Sequence, residues 1–265
     1  MPALRDPAII RSILSTDRAW SVYALGDLAP GFFERCLWFQ PRDGAPALAL
    51  LFSGFSTPVL FTIGEPSAIA AMLDEVGCEP ALYLHVRPEI VPVLATRYRI
   101  VEQKDMLRMV LDAPAFLPAP IEGAERLGPA DIEELARLYD DGKESREVPD
   151  FFFPSMLDEG VFFGVREAGE LVAAAGTHLV APAEGVAAVG NVYTRRDRRS
   201  RGLAARSASA VVGELLRMNL TTIALNVSRK NDTAIRVYER LGFLRYCDYY
   251  EGLAGRWARP SHAGS

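Results

Sequence analysis

The sequence contains few cysteines, and it has no long apolar run that is free of turn-forming residues. Its three cysteines, Cys36, Cys78 and Cys247, are far apart and lack the spacing of metal ligands. This pattern argues against a small disulfide-rich protein and against a metal site with cysteine ligands. We therefore expect reduced thiols in a cytoplasmic protein that needs no metal.

Membrane insertion is also disfavoured. The longest uncharged stretch, residues 45–63, approaches the length of a membrane-spanning helix. Its centre, Ser53–Pro58, consists of turn-forming residues, so we predict two strands joined by a turn. The first residues carry charges where a secretory signal would be apolar, and no leader is expected.

Charge of one sign does not dominate the chain as a whole. Hydrophobic residues make up 49% of the sequence and the net formal charge is −5, which is typical of a globular protein that does not coat nucleic acid or an anionic membrane. The charges are unevenly spread, because residues 120–170 hold 14 acidic and 5 basic side chains, and residues 171–265 hold 7 acidic and 14 basic ones. Arg195–Arg201 alone contains five arginines, which predicts that an anion binds there.

Prolines and broken apolar periodicity mark a linker at Ala113–Ile121. We therefore predict a first domain over residues 1–118, a second over residues 119–254 and a flexible tail over residues 255–265. The alternation of helical and strand periodicity predicts an α/β protein with a mixed sheet. The second domain is expected to contain strands at Val161–Arg166, Leu171–Val180, Val186–Thr194, Thr222–Val227 and Phe243–Tyr250, with helices after Pro129, from Gly202 and from Asn231 to Gly242.

The first domain shows a related order of elements. A helical opening at Pro7–Leu25 is followed by predicted strands near Arg35–Gln40, Ala47–Phe52, Val59–Thr62, Ala81–Val86 and Arg99–Leu111, with helices at Pro66–Val76 and Pro88–Tyr98. The order strand, helix, strand, helix, strand occurs in both domains and predicts an internal duplication, which rests on element order alone.

The segment that joins the strand ending at Thr194 to the helix beginning at Gly202 is the most informative part of the chain. Unpaired N–H groups and the helix dipole make such a helix start a phosphate-binding site. Gly202 has no Cβ and would let a diphosphate approach the backbone closely. The alternative is a solvated arginine loop beside an ordinary helix start.

A second motif favours the phosphate-binding site over the solvated arginine loop. Arg199–Ala204 and Asn231–Phe243 together resemble the GCN5-related N-acetyltransferase (GNAT) superfamily, whose acyl-CoA loop reads Arg/Gln-X-X-Gly-X-Gly/Ala and whose later motif contains Asn, Ala, Tyr and Gly-Phe. The resemblance covers about residues 122–252 and looks closest to the branch of glycine N-acyltransferase-like proteins. It implies a GNAT-like N-acyltransferase fold, a degenerate GNAT-like first domain, acetyl-CoA as co-substrate and no metal.

The resemblance also implies which residues form the site. The pantetheine, diphosphate and thioester of the donor would lie against Val192, Tyr193, Thr194, Arg199, Ser200, Arg201, Gly202, Leu203, Ala204, Asn226 and Asn231. Tyr238 would give a proton to the departing thiolate, which a phenol with a pKa near ~10 can do at neutral pH. The alternative for Tyr238 is a buried aromatic residue of the core.

The general base is not identified by the motifs. Glu184 stands only at the start of the strand that precedes the loop, so a glutamate base is in doubt, and His178 or a relay through water are the alternatives. The acidic segment Glu122–Glu170 would either attract a cationic amine or form a solvated face. His85 and His262 carry no predicted role.

The sequence therefore predicts an N-acetyltransferase that moves an acetyl group from acetyl-CoA to a primary amine, through a tetrahedral intermediate and without a covalent enzyme intermediate. Alternatives are a different acyl-CoA donor and a non-catalytic acyl-CoA-binding sensor. The acceptor is a small-molecule or peptide amine, without nucleic acid or membrane partners. In the first domain, Glu65 and Pro66 replace arginine and glycine in the equivalent loop, so no second CoA site is expected there.

Overall fold

The computed structural model describes residues 3–76, 79–143, 147–149 and 151–257, with side chains left out at 74–76. The chain forms two compact units, one made of Met1–Met106 and Asp248–Ser265 and the other of Leu107–Cys247. The bounds of these units differ from those of the predicted domains, 1–118 and 119–254. The predicted domains stay a prediction, because a compact unit does not show where a duplicated stretch of sequence begins. Among the described residues, no helix is long and apolar enough to cross a membrane.

The first unit contains a mixed sheet with strand order β1-β2-β3-β4-β12, in which β5 also pairs with β12. Neighbouring strands run antiparallel except β3 and β4, which are parallel. The elements are α1 (Pro7–Leu14), α2 (Val22–Gly26), β1 (Cys36–Phe39), β2 (Leu48–Phe52), β3 (Val59–Ile63), α3 (Pro66–Val76), β4 (Ala81–Val86), α4 (Val91–Ala95), β5 (Tyr98–Ile100) and the later part of β12 (Leu244–Arg256).

The second unit contains a sheet with strand order β6-β11-β10-β9-β8-β7, in which β10 and β11 are parallel and the pairs β9–β10, β8–β9 and β7–β8 are antiparallel. Its elements are β6 (Lys104–Leu111), β7 (Ala124–Leu127), α5 (Ile132–Asp140), α6 (Met156–Glu159), β8 (Phe162–Glu167), β9 (Glu170–Ala181), β10 (Val186–Thr194), α7 (Leu203–Arg217), β11 (Thr222–Ser228) and α8 (Asp232–Arg240). β6 and β12 each contribute residues to both units.

The elements around the predicted site are confirmed. β10 has the predicted bounds, and α7 begins one residue after its N-cap Gly202. The apolar stripe of α7 is buried, because Ala208, Val211, Val212 and Leu215 pack in one core with residues of β10 and β11. This core fixes the direction in which α7 leaves the sheet, and therefore the position of the loop before it.

Three predictions about elements need correction. The strand predicted over Arg99–Leu111 is interrupted, because the N–H groups of Val101 and Glu102 both donate to the carbonyl of Leu253 and take these residues out of the ladder. The helix predicted over Pro88–Tyr98 is a 3-10 turn, Pro88–Ile90, followed by the short α4. The short strand β7 was not predicted at all.

The end of the chain also differs from expectation. Gly255 and Arg256 belong to β12 rather than to a tail, since they pair with Arg99 and Tyr98 of β5. The rest of the predicted tail, from residue 258, lies outside the described residues, as does Cys78. Cys36 and Cys247 are thiols.

Candidate active site

The two parallel strands of the second unit separate at their carboxyl ends. Their pairing runs from Val186↔Thr222 to Val189↔Leu225, yet β10 continues to Thr194 and β11 to Ser228. Val192, Tyr193 and Thr194 thus lie on the stretch of β10 beyond this pairing, and Asn226 is the first residue of β11 beyond it. We call this unpaired stretch of β10 and β11 the gap, and its backbone edges can pair with an extended ligand that carries amide groups.

A β-bulge stands in β10 at the start of this gap. The register against β9 shifts between Gly190 and Tyr193, and Asn191 has a φ of +53°. As a consequence, Val192 packs against the core that contains α7 and α8, while Tyr193 packs on the opposite face with α5. One extra residue has reversed the alternation of the side chains that follow.

The bulge was not predicted, although its signal is in the sequence. Glycine inside a strand often marks a bulge, and asparagine tolerates a left-handed backbone better than most residues, so the pair Gly190–Asn191 is informative. The carbonyl of Asn191 accepts a hydrogen bond of 2.9 Å from the Tyr139 hydroxyl of α5. Asn191 is buried, and its Oδ1 atom has no hydrogen-bond partner among the described residues.

The loop between β10 and α7 has the backbone of an anion-binding turn. Ser200 and Gly202 have left-handed φ values of +64° and +77°. The first backbone bond of α7 runs from the Arg206 N–H to the Gly202 carbonyl, and within the described residues the N–H groups of 200–205 donate no hydrogen bond. Successive N–H groups of this kind, at the positive end of a fifteen-residue helix, form a concave site for phosphate.

Gly202 is needed for its backbone conformation. A Cβ built at this position would meet no atom of the chain within 4 Å, so the folded protein has space for a side chain there. The left-handed φ, by contrast, disfavours every L-residue. The space in front of Gly202 is therefore open to a ligand.

The arginine cluster is largely compensated by carboxylates, one of them Asp197 within the cluster and the others earlier in the sequence. Arg195 pairs with Glu170 and Asp197, Arg196 with Asp141, Arg198 with Glu167 and Asp197, Arg199 with Glu147, and Arg201 with Glu167. Most of these side chains are partly exposed, and exposed ion pairs are weak enough for a diphosphate to compete with them. The arginine excess counted along the sequence thus overstates the charge of this surface.

One carboxylate holds the loop at its beginning. Asp141, directly after α5, accepts hydrogen bonds of 2.8 Å from the Tyr193 hydroxyl and 2.9 Å from the Arg196 N–H. Burial alone would raise the pKa of Asp141, but these two hydrogen bonds and the charge of Arg196 lower it below its usual value. The pKa of Tyr193 rises to about 12, because the phenol is buried and donates to this carboxylate.

α8 places Tyr238 in the core of the second unit. The Asn231 side chain caps the helix by accepting from the Ala234 N–H at 3.0 Å. Tyr238 is only 8% exposed and packs edge-on against Phe243. Burial raises its pKa to about 12, so the phenol is protonated throughout the physiological range. Its hydroxyl makes no hydrogen bond in the part of the chain that the structure describes.

The candidate bases lie at different distances from the bulge. Glu184 belongs to a short 3-10 turn before β10, roughly 20 Å along the strand from Asn191, and is too far for direct proton transfer there. His178 lies on the neighbouring strand β9, where its ring covers Gly190: a Cβ at Gly190 would come within 2.2 Å of His178 Nε2. His178 is thus beside the bulge, and Glu184 is not.

The comparisons with known proteins agree with this architecture. Residues 130–243 match the sequence profile of the acetyltransferase (GNAT) family, and this range contains the bulge, the phosphate-type loop and Tyr238. None of the curated proteins matches the chain significantly in sequence. The family match lies within the second unit, and the structures described next share the mixed α/β fold of the chain.

Solved structures resemble the chain over most of its length. A GNAT family protein from Novosphingobium aromaticivorans is 26% identical, with a TM-score of 0.58 over 79% of this chain and 89% of that one. A GCN5-related N-acetyltransferase from Kribbella flavida is 17% identical, with a TM-score of 0.59 over 91% and 95%. A tandem GNAT protein from the clavulanic acid biosynthesis pathway is 14% identical, with a TM-score of 0.55 over 98% of each chain. The last two likenesses concern the fold alone.

Proposed function

We propose that this protein is an N-acetyltransferase that moves an acetyl group from acetyl-CoA to a primary amine. The observation that carries the proposal is the combination, in one unit, of the gap between β10 and β11 and, at the end of β10, a loop whose N–H groups donate no hydrogen bond to any described residue. The gap suits the extended pantetheine arm, and the loop suits the diphosphate. No metal takes part in the proposed reaction.

The donor would lie along β10. Val192, Tyr193 and Thr194 offer backbone amides to the pantetheine, and Asn226 borders the opposite side of the gap. The Thr194 Oγ1 atom is buried and has no hydrogen-bond partner in the described part of the chain, which fits a bound polar ligand. Arg199, Ser200, Arg201, Gly202, Leu203 and Ala204 would hold the diphosphate, mainly through their backbone N–H groups. The Asn231 oxygen is used as a helix cap, so its proposed place near the thioester is indirect.

The chemistry needs one acid and one base. The neutral amine attacks the thioester carbonyl, and a tetrahedral intermediate forms whose nitrogen carries one extra proton. The carbon–sulfur bond then breaks as the thiolate takes the Tyr238 proton. The nitrogen loses its extra proton to water, and the Tyr238 phenolate takes a proton back from water, so that the products are the neutral amide and CoA thiol. Before attack, the acceptor ammonium gives a proton to His178 or to a water beside it. His178 is favoured over Glu184 because its ring lies against Gly190, next to the bulge.

The first unit is proposed to be a degenerate GNAT-like half, which makes the protein a tandem. There too a parallel pair, β3 and β4, is followed by a helix, but Trp20 donates from Nε1 to the Thr62 carbonyl at 2.8 Å just beyond the last paired residues. The cavity next to Trp20, Thr62 and Arg87 has a volume of only about 30 Å³. Ligand sites for molecules much smaller than CoA already need several hundred Å³, on the order of 300 or more.

A direct assay tests the proposed reaction. The full chain is incubated with acetyl-CoA and a panel of small amines and peptides while free thiol is followed, and CoA binding is measured by calorimetry. Thiol release that depends on an amine supports the transferase. CoA binding without thiol release would instead favour the non-catalytic sensor, and absence of CoA binding would contradict both.

The acyl group and acceptor are separate parts of the proposal. Longer acyl-CoA donors are tested in the same assay, since the loop and the strand edge contact the diphosphate and pantetheine but not the acyl chain. A kinship with glycine N-acyltransferase-like proteins predicts that small amino acids are among the accepted amines. The cytoplasmic location stays a prediction.

A further inference from the structure

We infer that the end of α5 positions both ends of the donor site, through Tyr139, Asp141 and Gly142, which we call the α5 brace. The inference rests on the proposed function, because it assigns roles to these residues in binding acetyl-CoA. None of the three belongs to the motifs in β10, the loop or α8. They act as positioning residues, because each contacts β10 or the loop and not the reacting atoms.

The first contact of the brace is at the thioester end. The Tyr139 hydroxyl donates a 2.9 Å hydrogen bond to the Asn191 carbonyl, within the bulge of β10. Tyr139 is 7% exposed, so this bond is shielded from water and holds the bulge in a fixed orientation. A left-handed residue such as Asn191 persists only where its surroundings stabilise it.

The second contact is at the diphosphate end. Asp141 holds the Tyr193 hydroxyl at 2.8 Å and the Arg196 N–H at 2.9 Å, and the Arg196 Nε lies 3.5 Å away. One carboxylate therefore joins Tyr193, the next-to-last residue of β10, to Arg196, the second residue of the loop. Hydrogen bonds to an ionised carboxylate are about twice as strong as neutral ones.

Gly142 makes the second contact sterically feasible. A Cβ at this position would lie 2.8 Å from the Tyr193 hydroxyl and 3.0 Å from its ring, so a larger residue would push the phenol away from Asp141. Tyr139 and Asp141, two positions apart at the end of α5, thus hold the bulge and the loop respectively. The geometry predicts that they affect different parts of the same ligand.

Binding of two probes to the full chain tests this prediction. Acetyl-CoA reports on the whole site, and 3′-phospho-ADP, its nucleotide half, reports on the diphosphate end alone. Asp141→Ala is expected to raise the Kd of both probes by about tenfold, the effect of about one lost charge-assisted hydrogen bond. Tyr139→Phe is expected to raise the Kd of acetyl-CoA by about threefold to tenfold and to leave that of 3′-phospho-ADP unchanged.

Two further variants make the result specific. Asp140→Ala removes a neighbouring carboxylate that pairs only with Lys143 among the described residues, and it should leave both Kd values unchanged. Asp141→Asn keeps one acceptor oxygen and should bind both probes with intermediate affinity, and it replaces the alanine variant if that one does not fold. Thermal unfolding of each variant is measured alongside.

The outcomes separate the brace from the proposed function. If the unmodified chain binds neither probe, the proposed function fails, and the brace fails with it. If the chain binds both but Asp141→Ala binds as tightly as Asp140→Ala, the brace alone is wrong. A loss of 3′-phospho-ADP binding in Tyr139→Phe that equals its loss of acetyl-CoA binding would also overturn it, because a general loosening of the unit would then explain the data.

Discussion

Burial determines what the single residue Tyr238 can do. Its phenol lies in the core of the second unit, where no charged side chain contributes to its pKa, and desolvation alone raises the pKa to about 12. A group with this environment is a proton donor and not a base at any physiological pH. The sequence motif suggested the donor role, and the packing keeps the proton on the oxygen to a higher pH than in an exposed phenol.

Replacement of Tyr238 by phenylalanine tests the donor role. Tyr238→Phe should keep the Kd of CoA and lower kcat by about a hundredfold, the usual contribution of a general acid. Steady-state thiol release measures the rate and calorimetry the affinity. Tyr246→Phe, at a tyrosine 43% exposed on β12, is the matched control. An unchanged kcat in Tyr238→Phe would remove this residue from the acid role.

The same pKa predicts a difference in alkaline stability. The folded value of about 12 lies above the usual 10.0, so the folded protein binds the proton more tightly than the unfolded chain does. The stabilisation from Tyr238 is therefore complete below about pH 10 and is lost as the pH rises toward 12. The free energy of unfolding should fall less steeply between pH 9 and pH 11 in Tyr238→Phe, as measured by urea unfolding at about ten pH values. Parallel slopes would show that the phenol titrates normally.

At the scale of elements, the loop before α7 combines a left-handed glycine with unpaired N–H groups. Gly202 and Gly213 form a useful pair, because neither would meet an atom within 4 Å if it carried a Cβ, and only Gly202 has a positive φ. A difference in CoA binding between alanine substitutions at the two sites must therefore come from the loop, whereas a difference in stability also includes the gain of helix propensity at Gly213. The pair therefore isolates the role of the loop.

Gly202→Ala is expected to lower the free energy of unfolding by about 1 kcal/mol, since alanine is strained in the left-handed region. It should also weaken CoA binding by about tenfold, because the methyl group enters the space in front of the loop. Gly213→Ala, in the middle of α7, should raise stability by about 0.5–1 kcal/mol and leave CoA binding unchanged. Unfolding by urea and calorimetry with CoA measure both effects. Unaltered affinity in Gly202→Ala would contradict the placement of the diphosphate.

At the scale of the whole molecule, the predicted domain boundary separates β6 from the core in which its side chains pack. Leu107, Met109 and Leu111 of β6 are at most 2% exposed and belong to the core around α7 and α8. All three precede the predicted second domain, which begins at residue 119. The boundary predicted from the prolines therefore differs from the edge of the compact unit, which begins at Leu107.

Two fragments test this boundary. A fragment of residues 104–254 should show a cooperative thermal transition, whereas a fragment of residues 119–254 should not. The shorter one lacks three buried side chains, each worth about 1.5–3 kcal/mol, against a typical total stability of about 5–15 kcal/mol. Circular dichroism during heating measures both. Identical melting curves would show that β6 is dispensable for the second unit.

Much of the fold followed from the sequence because local patterns are strong around the site. The bounds of β10 and the start of α7 at Gly202 depend on neighbouring residues, and both were confirmed. Predictions failed where distant residues intervene, as at Val101 and Glu102, whose N–H groups turn toward Leu253. These ion-pair partners of the arginines could not be predicted from the sequence either, since Glu147, Glu167 and Glu170 precede the arginines by 25 residues or more.

The sequence by itself determined the type of loop, the helix start behind it and the tyrosine that follows, because these depend on residues that are adjacent or one helical turn apart. The tertiary structure alone decided which side of β10 faces which helix, how the arginine charges are compensated and which residues of α5 hold the strand and the loop. The physical reason is that a single inserted residue at Asn191 reverses the side-chain pattern, and its stability depends on a hydrogen bond from Tyr139, far away in the chain.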